Sequence, residues 1–220
     1  MRKRTPSSLT TTFLSVEAVI YAVFLMLDLM GQGSQTISIK YAGIALCLGY
    51  ALLCASKGGD RLVPAALAFT AGADWFLLVR NDHYPIGIAL FLCVQTVYFV
   101  RLCRAGAGSG YFLRSGLALG AGLAVYAAGM ASLTNLLAAL YFSQLLSNTG
   151  LSWTLKGKRW RTFALGLTLF VGCDTCVGLF SVLPAASPLY AIASVGMWFF
   201  YLPSQVLIAL SARPEKEDVL

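Results

Sequence analysis

The chain has 220 residues, 58% apolar and 11% charged, with a mean hydropathy of +0.76. Soluble domains run near 45–50% apolar and about 25% charged, so an ordinary soluble domain is excluded, and so is a disordered chain. The net charge of +7, from 16 basic and 9 acidic residues, does not by itself imply a nucleic-acid partner; its meaning depends on where the charges lie.

Apolar runs near the ~20 residues needed to cross a bilayer predict eight helices. In chain order they are Leu9–Met30, Ile39–Ala55, Leu62–Val79, Tyr84–Cys103, Phe112–Met130, Leu133–Trp153, Phe163–Leu183 and Pro188–Leu210. Short connections rich in Gly, Ser, Asn, Pro or charge separate them. The fifth and sixth are divided only by a two-residue break near Ala131. MRKR at the start resembles a signal-peptide n-region, but Glu17 interrupts the apolar stretch and no A-x-A site follows, so the first span is read as retained. In the fifth span, Gly116, Gly120 and Gly122 have the small-residue spacing of a close helix–helix seam.

With the N-terminus in the cytoplasm, 14 of the 16 basic residues fall on the cytoplasmic side, leaving Lys40 and Arg80 outside. That division follows the positive-inside rule and turns the net charge into a topology marker rather than a nucleic-acid signature. The expected fold is an all-α polytopic membrane helix bundle, with eight transmembrane helices and both termini cytoplasmic. It forms one domain over 1–220, with 1–8 a cytoplasmic N-terminal segment and 211–220 a cytoplasmic tail. The expected location is integral and multi-pass in the cell membrane, the inner one if the source is bacterial.

Ionisable groups inside spans are costly and mark functional candidates. Glu17, Asp28, Asp74 and Asp174 fall within predicted spans, while the other five acids lie in loops or the tail. Asp74 is 12 residues beyond Leu62 and Asp174 is 11 beyond Phe163. At ~1.5 Å per residue both lie roughly 16–18 Å from the cytoplasmic ends of their spans. Each ends a Gly-x-Asp, AGAD and VGCD, and their spacing of 100 residues fits a parallel four-span repeat. The alternative is a pair of packing aspartates, protonated or hydrogen-bonded. Gln95, Gln144 and Gln205, with Tyr98, Tyr126, Tyr141 and Tyr201, are candidates for a polar interior; Gln also serves as interhelical glue and Tyr as an interfacial anchor.

His83 is the single histidine, in the outer loop NDHYP, so a three-ligand zinc centre is disfavoured and no metal or cofactor is expected. All six cysteines fall in spans; Cys173 and Cys176 form a C-x-x-C without a βαβ context, which favours buried apolar thiols over redox chemistry. No Walker, G-x-S-x-G or dinucleotide fingerprint is present.

Four stretches resemble the YhhN/TMEM86 family: KYAGIAL from Lys40, LAFTAGADWFLLV ending at Val79, YPIGIALFLCVQTVYFVRL, and FVGCDTCVGL together with SQVLIALS. The departures are Ala73 where that family usually has Gly, Gln95 where His is common, Cys173 where Ser is frequent, and Pro203 and Ser204 before Gln205.

The resemblance implies a lysoplasmalogenase-like hydrolase, which splits the vinyl ether of a lysoplasmalogen into a fatty aldehyde and a glycerophospho-alcohol. One carboxyl protonates the vinyl carbon and another stabilises the resulting cation, as in paired-carboxylate glycoside hydrolysis. On that reading Asp74 and Asp174 are catalytic. Lys40 contacts the lipid phosphate, with Asp28 beside it, and Gln95, Tyr98, Tyr201 and Gln205 line the cavity. The expected partners are a lysophospholipid substrate and the lipid bilayer, with no nucleic acid; nothing in the sequence bears on oligomeric state. The rival is a proton-coupled transporter or lipid-binding membrane protein, since midplane carboxylates and parallel repeats also describe carriers.

Overall fold

The computed structural model describes residues 8–214. Most of the predicted N-terminal segment and of the predicted tail, with Arg2, Lys3, Arg4 and Lys216, therefore lies outside the described residues. Among the described residues there are eight α-helices and no strand: α1 (Ser8–Leu29), α2 (Ile37–Ser56), α3 (Leu62–Asp74), α4 (Tyr84–Arg104), α5 (Tyr111–Ala127), α6 (Leu133–Ser152), α7 (Lys158–Val182) and α8 (Pro188–Leu210). Helices are the natural outcome for these runs, because in hydrocarbon each backbone N–H and C=O must find its partner within its own segment.

Six of the eight are long and apolar enough to cross a membrane: α1, α2 with its leading turn, α3 with its extension, α4, α7 and α8. The chain is a polytopic membrane helix bundle. The expectation of eight full spans is therefore qualified at α5 and α6. With 17 residues, α5 is short of a full crossing, and α6 carries Ser143, Gln144, Ser147 and Asn148 along its length.

Hydrogen bonds at the two ends fix the up-and-down order. At one end Thr10 of α1 bonds Tyr50 of α2, the Asp60 N–H donates to the Ala212 carbonyl after α8, and Arg114 of α5 reaches Asn148 of α6. This end carries Lys57, Arg61, Arg104 and Lys158 and is called the basic end below. At the opposite end Lys40 of α2 meets Asp28 of α1, and Phe180 of α7 stacks on Tyr190 of α8. Ser8 and Leu210 thus lie at the same end.

The tightest seam joins α7 and α8, where a Cβ on Gly166 would fall 2.9 Å from Ile208 and 3.1 Å from the Ser204 carbonyl. The expected glycine seam on α5 is overturned. A Cβ at Gly116, Gly120 or Gly122 meets nothing within 4 Å, so small size is not used there for close approach. Spacing alone does not say which face a neighbour covers.

Two helices depart from ideality. After Asp74, the third helix widens into a π-helical stretch, Trp75–Arg80, closed by Asn81 and His83 in the left-handed region. Gly87 of α4 makes room for it, since a Cβ there would fall 2.4 Å from Leu77. In α8, Pro203 has no N–H for the Phe199 carbonyl four residues earlier. The Tyr21 hydroxyl of α1 donates to that carbonyl at 3.1 Å, so the group is satisfied from a neighbouring helix.

Candidate active site

Asp74 closes α3 at the junction with the π-helical stretch and is 5% exposed. The Tyr201 hydroxyl of α8 donates to its Oδ2 at 2.6 Å. Asp174, partly buried on α7, accepts from the Tyr141 hydroxyl of α6 at 2.5 Å, and the Cys173 thiol lies within hydrogen-bonding reach of it. The two carboxyl groups are close enough for their charges to interact. One aromatic cluster joins their phenols: the Phe170 ring centroid is 6.5 Å from Tyr141 and 5.6 Å from Tyr201, with Phe91 packed beside it. Neither aspartate forms an ion pair with a Lys, Arg or His among the described residues.

Tyr41 of α2 completes the setting of Asp74. Its hydroxyl donates to the Ala71 carbonyl at 3.3 Å, its ring packs on Trp75, and it lies within electrostatic range of the carboxyl. Tyr41 and Tyr141 are 100 residues apart, the same spacing as Asp74 and Asp174. The expected repeat thus extends to a tyrosine from the helix before each aspartate's own. The correspondence is incomplete, since Tyr141 bonds its aspartate directly and Tyr41 bonds the backbone beside its own.

Lys40 is 4% exposed and its Nζ lies 2.7 Å from Asp28 Oδ2, with the Thr36 hydroxyl donating to the same carboxylate. The ammonium is 4.2 Å from the centroid of Trp198, whose ring packs on Tyr201 at 5.8 Å. Asp28, Lys40, Trp198, Tyr201 and Asp74 therefore form one contiguous series of contacts. Trp198 has no ionisable group and was not legible as a site residue; its position one turn before Tyr201 is the only signal.

Gln95, 1% exposed, accepts at both its backbone and its side-chain oxygen from the Asn148 amide at 2.9 Å. Asn148 accepts from Arg114, which also donates to Gln144. Arg114, counted among the basic residues of the cytoplasmic side, lies at the basic end and is 8% exposed, so it also serves as a buried anchor between α5 and α6. Tyr98 and Gln205 are fully buried, and the Tyr98 hydroxyl and Gln205 Oε1 have no protein partner. Tyr126 is 75% exposed and apart from this interior. Of the six cysteines, all on helices, Cys47, Cys54 and Cys173 are buried, Cys176 is half-buried, and Cys93 and Cys103 face outward.

Two outward-facing grooves run between α2 and α3 and between α1 and α2; neither is lined by Asp74 or Asp174. Among the described residues no group of three or more His, Cys, Asp or Glu side chains is placed to hold a metal ion.

The YhhN family model matches residues 35–212, most of the chain. The chain belongs to the YhhN family. The match begins after α1, so Glu17 and Asp28 lie outside it, whereas both aspartates, their tyrosines and Lys40 lie within. Searches of curated proteins and of solved structures find no match.

Proposed function

We propose that this YhhN-family chain is a lysoplasmalogenase-like hydrolase, with Asp74 and Asp174 as its catalytic pair. The observation that supports the reading is that two carboxyl groups, from α3 and α7, lie within electrostatic range of each other and are bridged by one aromatic cluster. Each is held by a phenol and neither is neutralised by a cation. A carboxyl group with a bound counter-ion is committed to charge balance; one held only by a neutral donor can gain or lose a proton.

One aspartic acid delivers its proton to the vinyl carbon remote from the ether oxygen, and the carbon bonded to oxygen becomes an oxocarbenium ion. The second carboxylate stabilises that charge, as in paired-carboxylate hydrolysis of glycosides. Water adds to the cation and gives up a proton to a carboxylate. The resulting hemiacetal collapses to a fatty aldehyde and a glycerophospho-alcohol, which keeps its own oxygen. Tyr201 and Tyr141 orient the two carboxyl groups. Lys40, Asp28, Gln95, Tyr98 and Gln205 are proposed to contact the lysophospholipid, with the Lys40–Asp28 pair suited to a zwitterionic head group. By the positive-inside rule the basic end is assigned to the cytoplasmic side, and the proposed location is the cell membrane, the inner one in a bacterial source.

The test is fatty-aldehyde release from a lysoplasmalogen by purified protein in detergent. The expected result is turnover by the parent and its loss in both Asp74→Asn and Asp174→Asn. A carrier acts only across a sealed bilayer and releases no aldehyde. Parental turnover in both variants overturns the assignment.

A further inference from the structure

Six buried side-chain atoms among the described residues have no protein hydrogen-bond partner: Glu17 Oε2, Thr70 Oγ1, Gln95 Nε2, Tyr98 Oη, Arg101 Nη1 and Gln205 Oε1. Most buried polar atoms in folded proteins are satisfied, so each of these calls for a partner, and their distribution in the bundle suggests a shared one.

Arg101 belongs to the charged cluster at the basic end, where it and Arg159 both bond Asp60 and the Ser211 carbonyl. Counting along the helices at ~1.5 Å per residue, Tyr98, Gln95, Gln205 and Thr70 follow roughly 5, 9, 9 and 13 Å further in, whereas the two aspartates lie about 20 Å in. Glu17 joins the same half through its bond with Cys47. Five of the six therefore lie between the charged cluster, to which Arg101 belongs, and the aspartates, and the half beyond the aspartates has none.

Neighbour relations tie Tyr98 to both ends of this series, and helix position sets Thr70 and Gln205 a turn from Asp74 and Tyr201. Tyr98 is within electrostatic range of Arg101 on one side and of Cys47 and Tyr141 on the other, and Tyr141 bonds Asp174. Thr70 stands one turn before Asp74 on α3, and Gln205 one turn after Tyr201 on α8.

The chemistry of the six selects the ligand. Gln95 Nε2 and Arg101 Nη1 only donate, Glu17 and Gln205 present acceptor oxygens, and the two hydroxyls do both. An anion leaves the acceptors unmet, and a cation is repelled by the guanidinium. Water donates and accepts in the same place and satisfies both kinds.

We propose that the unpartnered polar groups of Thr70, Gln95, Tyr98, Arg101, Gln205 and Glu17 hold a file of bound water from the Asp60–Arg101–Arg159 cluster to Asp74 and Asp174. The hydrolytic water then arrives from the basic end, while the Lys40–Asp28 end is left to the lipid head group. The inference rests on the hydrolytic reading for the use to which the water is put.

Radiolytic hydroxyl labelling of the full chain in lipid nanodiscs, read residue by residue by mass spectrometry, tests it without any substrate. Bound water converts to hydroxyl radical in place and labels the side chain beside it. Tyr98 and Phe24 are both 0% exposed, but Phe24 carries no polar atom and its ring contacts are with Tyr21, Trp198 and Lys40, whereas Tyr84 is 46% exposed. The expected result is that Tyr98 is labelled many-fold faster than Phe24 and approaches the rate of Tyr84. Labelling of Tyr98 as slow as that of Phe24 overturns the water file. A protein that releases aldehyde but leaves Tyr98 unlabelled refutes the file alone; one that labels Tyr98 but releases no aldehyde refutes the catalytic reading alone.

Discussion

Asp28 and Asp60 differ from Asp74 and Asp174 in what neutralises them. Asp28 faces Lys40 at 2.7 Å, and Asp60 faces Arg101 at 2.7 Å together with Arg159. The central pair has only Tyr201 and Tyr141. At the ends of the bundle an acid brings its own cation and ties helices together; at the centre two acids are brought together without one. Such an arrangement costs stability, which is why intramembrane acids without a counter-ion mark functional candidates.

The predictions that follow press on that difference. The largest effect is expected at the centre. Asp74→Asn and Asp174→Asn keep an oxygen for the tyrosine hydroxyl but remove the transferable proton, so aldehyde release should fall by about 10²–10⁴-fold in each. Their melting temperatures in detergent should stay near or above that of the parent. A large loss of stability with intact turnover would erase the distinction between centre and ends.

Next come the ends. Asp60→Asn leaves Arg101, 2% exposed and stacked on Phe163 and Trp160, without its counter-charge. A loss of about 3 kcal/mol is expected, measured by thermal or denaturant unfolding in detergent. Burial alone would push the Asp60 carboxyl up, but the charge and hydrogen bond of Arg101, the Leu62 amide and Arg159 hold it below the ordinary carboxylate range. Its stabilisation is therefore complete above the unfolded value of about 3.9 and is lost as the pH falls through the folded value. Thermal scans at descending pH should show a steeper acid-side decline in the parent than in Asp60→Asn. Parallel curves would mean that Asp60 contributes no such linkage.

A smaller effect is expected from the phenols. Tyr201→Phe and Tyr141→Phe each remove one hydrogen bond to a carboxyl group, of about 1–3 kcal/mol depending on whether that group is the acid or the carboxylate, so turnover should drop roughly 10- to 100-fold with the carboxyl groups in place. Equal loss in the Tyr and Asp variants would assign the phenols more than an orienting role.

The smallest expected effect is at Tyr21. Tyr21→Phe should cost about 1 kcal/mol by stranding the Phe199 carbonyl, and adding Pro203→Ala should restore most of it by returning that carbonyl's own N–H. Unfolding midpoints of the single and double variants measure both.

The sequence made the helical architecture and the two central aspartates legible, because long apolar runs and isolated intramembrane acids are signals carried by one segment at a time. Properties that depend on two segments were less visible. The α5 glycines had the spacing of a seam, but no helix covers them. Arg114 reads in sequence only as a charge on the cytoplasmic side; its anchoring role depends on Asn148 and Gln144 of another helix. The widening after Asp74 has no marker in its own residues; the space for it is supplied by Gly87 on another helix. Tyr41 was legible only in retrospect, as the partner of Tyr141 at the 100-residue spacing.

Hydrolysis of a lysoplasmalogen by the purified chain in deuterium oxide enriched in oxygen-18 tests the catalytic claim most directly. The account predicts one deuterium on the aldehyde carbon next to the carbonyl, placed there by an exchanged carboxyl group. It also predicts a glycerophospho-alcohol free of oxygen-18, with both products reduced by about 10²–10⁴-fold in Asp74→Asn and Asp174→Asn. Failure of the parent to release aldehyde, or oxygen-18 in the alcohol, would contradict it.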